Sequence, residues 1–118
     1  MENILITGAG GFIGYALSQE LLRQGRQVVG FDLIKTDHQS KHYQSDTGDL
    51  ADIHRLHGIF KQYQITSVVH CGAISGPMLA LDNPYSILQI NLMGTANMLE
   101  AARVHGVERF IYCSSGSA

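Results

Sequence analysis

The sequence predicts an α/β fold, a doubly wound parallel sheet, and three observations carry that prediction. Short, continuously apolar runs recur without polar–apolar alternation, which is how strands buried on both faces read. Segments with helical spacing separate those runs, as right-handed crossovers between parallel strands require. Among the 118 residues, charged side chains are only 15% and glycines number thirteen. Against an average charged share of about 25%, that composition describes buried strands joined by tight turns.

The elements follow in order. Asn3-Ile4-Leu5-Ile6-Thr7 is the first strand, and the cluster Gly8-Ala9-Gly10-Gly11 follows it at once. Ile13, Leu17 and Leu21, with Phe12 and Ala16 beside them, then recur at helical spacing, and Gly25 stands where a helix C′ residue is expected. Val28-Val29-Gly30-Phe31 is the second strand, ending at Asp32. Residues 33–48 are polar and weakly patterned and read as a loop, with His42 to Ser45 a candidate edge strand. From Leu50, the apolar residues Ile53, Leu56, Phe60 and Tyr63 mark one face of a helix. Ser67 to Cys71 is a further buried strand. Asp82-Asn83-Pro84 is a helix start, a capping side chain followed by proline near the first turn. The long helix it opens carries Ile87, Leu88, Leu92, Leu99 and Ala102 on one broad face and stops at Gly106. Arg109 to Cys113 is the last strand.

Composition excludes several function classes. A net charge of −2 gives no basic footprint for nucleic acid and no polybasic segment for an anionic membrane. No apolar run approaches the ~18 residues of a membrane span, and the N-terminus lacks the features of a signal peptide, so the cytoplasm is expected. An apolar content of 45% excludes disorder. Cys71 and Cys113 are too few for a disulfide framework and are not spaced for zinc. They end neighbouring predicted strands; buried small hydrophobes is the default reading and a redox pair the alternative. His54 and His57, with His38 and His42 upstream, lack a carboxylate or cysteine at matching spacing, and no metal site is expected.

The loop Thr7-Gly8-Ala9-Gly10-Gly11-Phe12-Ile13-Gly14 carries chemistry. A G-x-G-x-x-G pattern fails because residue 13 is Ile, whereas G-x-x-G-x-x-G is met by Gly8, Gly11 and Gly14. Gly8 permits a tight turn, Gly11 lets the main chain approach a pyrophosphate, and Gly14 lets the helix pack closely on the sheet. The unpaired N–H groups of the helix's first turn then meet the phosphates. Phe12 and Ile13 belong to the same cofactor-binding set. Asp32, 18 residues beyond Gly14 at the end of the second strand, is placed to accept hydrogen bonds from an adenosine ribose. Its charge would repel a 2′-phosphate, so NAD is expected rather than NADP. A ligand-free glycine turn and an ordinary loop aspartate are the plainer readings, and their combination at this spacing argues against both. The fold is therefore expected to be Rossmann-type.

Together these residues resemble the extended short-chain dehydrogenase/reductase superfamily, the NAD-dependent epimerase/dehydratase group, over essentially the whole chain. Gly48-Asp49-Leu50 is similar to the family's G-D-L/I element, which implies Asp49 at the adenine edge and Leu50 against the ring; an N-cap is the competing reading of Asp49. His70-Cys71-Gly72-Ala73 resembles the H-x-A-A stretch, with Gly72 in place of the first alanine, and places Cys71, Gly72 and Ala73 along the dinucleotide. His70 itself reads as a packing residue rather than a catalyst. Asn91-Leu92-Met93-Gly94-Thr95 resembles the N-x-x-G-T element, which implies that Asn91 supports the site. Cys113-Ser114-Ser115 resembles the S-S/T element, and Ser115 matches its catalytic position.

The resemblance also implies a Tyr-x-x-x-Lys pair, in which the lysine lowers the tyrosine pKa for proton transfer. Tyr15, Tyr43, Tyr63, Tyr85 and Tyr112 are followed four residues on by Gln19, Thr47, Ser67, Gln89 and Gly116, never by lysine. Residues 1–118 are thus read as one cofactor-binding domain, incomplete at its C-terminus, that precedes the Tyr-x-x-x-Lys helix and the substrate-binding region. The full-length protein is expected to be an NAD-dependent epimerase, dehydratase or dehydrogenase acting on a nucleotide sugar or sugar acid, as a homodimer. Residues 1–118 alone are expected to be inactive. A catalytically silent NAD-binding or redox-sensing module is the alternative, and a purely structural domain would need three spaced glycines and Asp32 by accident.

Overall fold

In the computed structural model, which describes residues 2–72 and 84–113, five parallel strands run in the order β3-β2-β1-β4-β5. The chain passes through β1 (Asn3–Thr7), α1 (Phe12–Arg23), β2 (Gln27–Asp32), β3 (Tyr43–Thr47), α2 (Ile53–Tyr63), β4 (Ser67–His70), α3 (Pro84–Val104) and β5 (Arg109–Tyr112). Strand order reverses at β1: the chain first builds outward through β2 and β3, then returns to place β4 on the other side. The crevice at the C-terminal ends of β1 and β4 is where such sheets bind ligands.

The apolar runs of the strands serve two cores. Leu5, Val29, Phe31 and Val68 point to one face, against Leu56, Ile59 and Phe60 of α2 and Met98, Ala101 and Ala102 of α3. Ile4, Ile6, Val28 and Val69 point to the other, with Ala9 and Leu21 of the α1 side. Successive residues of one strand thus enter opposite cores. The expected edge strand is present as β3, Tyr43–Thr47, beginning and ending slightly later than its expected bounds. Gly25 ends α1 and Gly106 follows the end of α3, both with positive φ.

Two helix faces differ from expectation. In α1 the buried residues are Gly14, Ser18 and Leu21, whereas Phe12, Ile13 and Ala16 are exposed. The cause is Gly14: a Cβ there would overlap the carbonyl oxygen of Gly8, so the helix lies directly on the preceding turn. The buried Ser18 hydroxyl donates to the Gly14 carbonyl at 2.7 Å and leaves no unpaired group. In α3 the buried residues are Gly94, Met98, Ala101 and Ala102, while Leu88, Leu92 and Leu99 of the expected inner face are exposed. Apolar residues occur on more than one side of that helix, and its small residues, not its leucines, permit close approach to α2 and to Leu50. Asp49 is not the helix cap. Asp52 caps α2 by accepting from the Arg55 N–H at 3.1 Å, and Asp49 accepts from the Ala51 N–H at 2.9 Å in the turn before it. The Asp82–Asn83 capping expectation lies outside the described residues, and α3 begins at Pro84.

One polar network ties β1, β4 and α3 together. The Gly72 N–H donates to Thr7 Oγ1 at 3.0 Å, and Thr7 Oγ1 lies 2.6 Å from His70 Nδ1. The other ring nitrogen, Nε2, lies 3.1 Å from Thr95 Oγ1, so the imidazole bridges the two threonine hydroxyls. His70 is 2% exposed, and burial pushes its pKa down from 6.5 to about 4. As expected, it is a packing residue.

Because the unfolded chain protonates His70 near its ordinary pKa and the folded chain resists until about 4, folding stability falls as pH drops through that window. The loss from this one site amounts to roughly 3 kcal/mol. His70→Asn is expected to flatten the slope between about pH 6.5 and 4, measured by urea midpoints at several pH values. His38 and His105, also depressed by burial, contribute equally to both proteins. An unchanged slope would show that His70 titrates normally.

Candidate functional site

At the C-terminal edge of β1, β2 and β4 lies a cleft of about 430 Å³, within the ordinary size of small-molecule sites. The β1–α1 turn brings Gly8, Gly11, Phe12, Ile13 and Gly14 to it, and the end of β2 brings Asp32. Asp49 and Leu50 enter from the turn before α2, Cys71 and Gly72 from the end of β4, and Asn91 from α3. Eleven residues nominated from sequence for cofactor binding therefore share one cleft. Ala73 and the catalytic candidate Ser115 lie outside the described residues.

The backbone at the base of the cleft has no room for side chains. Gly8 has φ +66, and a Cβ there would lie 2.6 Å from the Cys71 carbonyl oxygen. Gly11 is the N-cap of α1 (φ −77, ψ 173), makes no side-chain capping bond, and is followed by no acidic residue in the first turn. A Cβ at Gly11 would meet only the Gly8 carbonyl, at 3.3 Å, and otherwise occupy open cleft. The helix thus presents uncapped N–H groups and its positive end where no side chain intervenes, an arrangement suited to an anion such as a pyrophosphate.

Asp32 is held in place by the main chain. Its Oδ2 accepts from the Gly10 N–H at 2.8 Å and its Oδ1 from the Leu33 N–H at 2.7 Å. A carboxylate has about four acceptor positions, so acceptors remain for a diol. Gly10 was not singled out from sequence, yet a Cβ there would sit 3.0 Å from Asp32 Oδ2. Asn97 was also missed. Its Nδ2 donates to the Leu50 carbonyl at 2.8 Å and fixes the turn that carries Asp49 and Leu50. Phe31, Leu33, Gly48, Ala51, Ile90 and Cys113 complete the lining. The spacing of the glycines could have flagged Gly10, but the Asn97 contact spans 47 residues and has no local signal.

These features fit a dinucleotide: a glycine cradle at a helix N-terminus for phosphates, a carboxylate at the strand end for a ribose, and apolar side chains for a base. A larger hollow, about 870 Å³, lies between the outer flank of α1 and the loop after β2, lined by Tyr15, Gln19, Arg23, Asp37 and His38 among others. It touches neither the glycine turn nor the ends of the strands, and the chemistry belongs to the smaller cleft. No group of three or more potential metal ligands occurs among the described residues.

Comparison with known proteins follows the same lines. The model of the NAD dependent epimerase/dehydratase family matches residues 4–118. UDP-glucuronate 4-epimerase of Thermodesulfobacterium geofontis is 29% identical, over 99% of this chain and 40% of its own length. A 2-alkyl-3-oxoalkanoate reductase of Stenotrophomonas maltophilia is 35% identical, over 97% of this chain and 33% of its own. The crystal structure of Thermus thermophilus UDP-glucose 4-epimerase in complex with NAD superposes with a TM-score of 0.86 at 31% identity, covering 97% of this chain and 38% of that one. The chain spans about two fifths of the length of such relatives.

Gly11→Val tests the cradle. The φ of −77 suits valine, so the variant is expected to fold while its branched side chain fills the approach to the helix N-terminus. NAD affinity, measured by calorimetry, is expected to fall at least about tenfold, or ~1.4 kcal/mol. Undiminished affinity in a folded variant would make the loop only a turn.

Proposed function

This chain belongs to the NAD dependent epimerase/dehydratase family, and from that premise we propose that residues 1–118 are the cofactor-binding part of a cytoplasmic, homodimeric enzyme that acts on a nucleotide sugar or a related sugar hydroxyl. The reading rests above all on one observation: Gly8, Gly11 and Gly14 share a cleft with Asp32 at the strand-order reversal. Support for the substrate class comes from relatives whose names specify UDP-glucuronate and UDP-glucose. A reductase among the relatives keeps the reaction at the level of hydride chemistry rather than epimerisation alone.

When bound, NAD supplies a hydride acceptor at its nicotinamide ring. The chain's own residues bind and orient. The first turn of α1 and the bare backbone of Gly8 and Gly11 hold the pyrophosphate. Asp32 would accept from the ribose hydroxyls, Asp49 and Leu50 would flank the adenine, and Cys71 and Gly72 would leave space along the sheet edge, with Ala73 added to that set by the resemblance alone. Asn91 supports the site from α3. Ser115, which follows β5 in sequence, hydrogen-bonds the reacting hydroxyl oxygen of the substrate. The proton is taken by the tyrosine of a Tyr-x-x-x-Lys pair that residues 1–118 do not contain, so this part alone binds NAD without turnover.

The reaction is tested by incubating the whole polypeptide with NAD and a panel of UDP- and GDP-sugars, followed by NMR. Conversion at a sugar carbon, abolished or strongly slowed by Ser115→Ala, is expected. NAD binding without conversion of any sugar would support a silent binding module instead.

Asp32→Ala tests the cofactor assignment separately. Losing charge-assisted bonds to the ribose is expected to weaken NAD by at least about 1.5 kcal/mol, roughly tenfold, while NADP loses less because the repulsion of its 2′-phosphate also disappears. Equal affinities before and after the substitution would remove Asp32 from the site.

A further inference from the structure

Two thiols lie together on the wall of the cleft. In β4 and β5, His70 pairs with Tyr112 in parallel register, and Cys71 and Cys113 are the next residues on each strand. The Cys113 N–H donates to the His70 carbonyl at 3.1 Å, so the ladder continues to this level. Adjacent strands stand about 4.8 Å apart, inside the 4.4–6.8 Å range of Cα separations that a disulfide spans. Both side chains leave the sheet on the same face. The Cys71 thiol donates to Cys113 Sγ at 3.1 Å, and the two cysteines are half-buried and unbridged. Closing to a bond of about 2.05 Å requires a movement of roughly 1 Å. Both residues also line the 430 Å³ cleft, which gives a small oxidant a path to them. No third metal ligand stands with them among the described residues.

We propose that Cys71 and Cys113 form a reversible dithiol–disulfide pair in the wall of the dinucleotide cleft, oxidised by a peroxide or by a small disulfide of the glutathione class. Its location rests on the NAD reading of that cleft; its chemistry does not. Cys113 reacts first. It is the acceptor of the Cys71 S–H. Burial, and then the neighbouring Cys113, push the Cys71 thiol up to about 12, which keeps it protonated and reserves it for the second step.

With hydrogen peroxide, the Cys113 sulfur attacks one oxygen; an S–O bond forms, the O–O bond breaks, and the departing hydroxide leaves as water with the thiol proton. The Cys71 sulfur then attacks the sulfenic sulfur; the S–S bond forms, the S–O bond breaks, and the Cys71 proton leaves with that hydroxide as a second water. The two sulfurs together lose two electrons and the peroxide gains them. With a glutathione-type disulfide, Cys113 takes one half as a mixed disulfide and releases one thiol, and Cys71 displaces the other. Proximity offsets the low thiolate fraction of Cys71.

The test uses the whole polypeptide that carries these residues, treated with oxidised glutathione in the absence of NAD and mapped by non-reducing peptide mass spectrometry. A Cys71–Cys113 cross-linked peptide, lighter by two hydrogens than the pair of thiol peptides and reversed by dithiothreitol, is expected. Cys71→Ser is expected to stop at a glutathione adduct on Cys113, and Cys113→Ser to leave Cys71 unmodified. No cross-link in the wild type, or equal modification of Cys71 and Cys113 in the two single variants, would overturn the proposal. Saturating NAD, with its binding confirmed independently by calorimetry, is expected to slow cross-linking several-fold. Bound NAD with an unchanged rate would overturn the placement of the pair in the cleft, whereas failure of NAD to bind at all would instead count against the cofactor reading.

Discussion

Where β1 turns into α1, two pieces of backbone touch with no side chain between them, and the cleft takes its shape from that contact. Gly14 lies against the Gly8 carbonyl, and Gly8 in turn lies against the end of β4 at Cys71. A methyl group at either position meets a backbone atom, which cannot swing aside as a flexible side chain can. The helix is therefore aimed by the absence of atoms, with its uncapped N-terminus at the strand ends. The Thr7–His70–Thr95 network holds the same junction from beneath, since the Gly72 N–H that closes it comes from the segment facing Gly8. Glycines set the closest approach, and the buried hydroxyls set what may not slip sideways.

The two-sided sheet explains why so little charge is needed. Strands β1, β2 and β4 bury successive residues in opposite cores, so most polar residues are displaced to the C-terminal edge, to the loops and to β3. Chemistry and polarity then coincide in space because they are excluded from elsewhere. The thiol pair follows the same logic. Cysteine is the one reactive side chain that packs as a small hydrophobe, and it can therefore occupy the last rung of a buried ladder while still facing the cleft.

How much was legible in the sequence depended on the range of the signal. Strands β1, β2 and β4 are contiguous apolar runs, and Gly8, Gly11 and Gly14 with Asp32 are a local pattern, so the fold class and the position of the cleft could be read directly. Helix faces could not. In α3, Leu88, Leu92 and Leu99 share a helical stripe as convincing as the one containing Met98, Ala101 and Ala102; only the space beside Leu50, where Gly94 must fit, decides between them. In α1, the largest apolar residues, Phe12 and Ile13, are exposed at the cleft instead of buried beneath it. Apolar periodicity reports that a surface is apolar, and it does not report whether protein or ligand covers it. Contacts such as Asn97 to Leu50 join distant segments and leave no local trace.

The least patterned stretch, residues 33–48, turns out to position the most informative charge. Gly30 of β2 has no room for a side chain because the Tyr43 hydroxyl of β3 crosses above it. That hydroxyl hydrogen-bonds Thr36 Oγ1, and the Thr36 N–H donates to Ser45 Oγ at 3.1 Å, so the edge strand grips the loop through polar side chains. Thr36 is buried, and its methyl would lie 3.1 Å from a Cβ at Gly10. Gly10 in turn donates its N–H to Asp32. A polar edge strand and an unpatterned loop thereby define the orientation of one carboxylate. If Asp32 reads the ribose, as proposed, discrimination between the two forms of the dinucleotide also draws on β3, a strand that does not line the cleft, through the loop it holds. An aspartate on a free loop would turn away from a 2′-phosphate; one clamped by two backbone N–H groups cannot, and its charge must be met by whatever binds there.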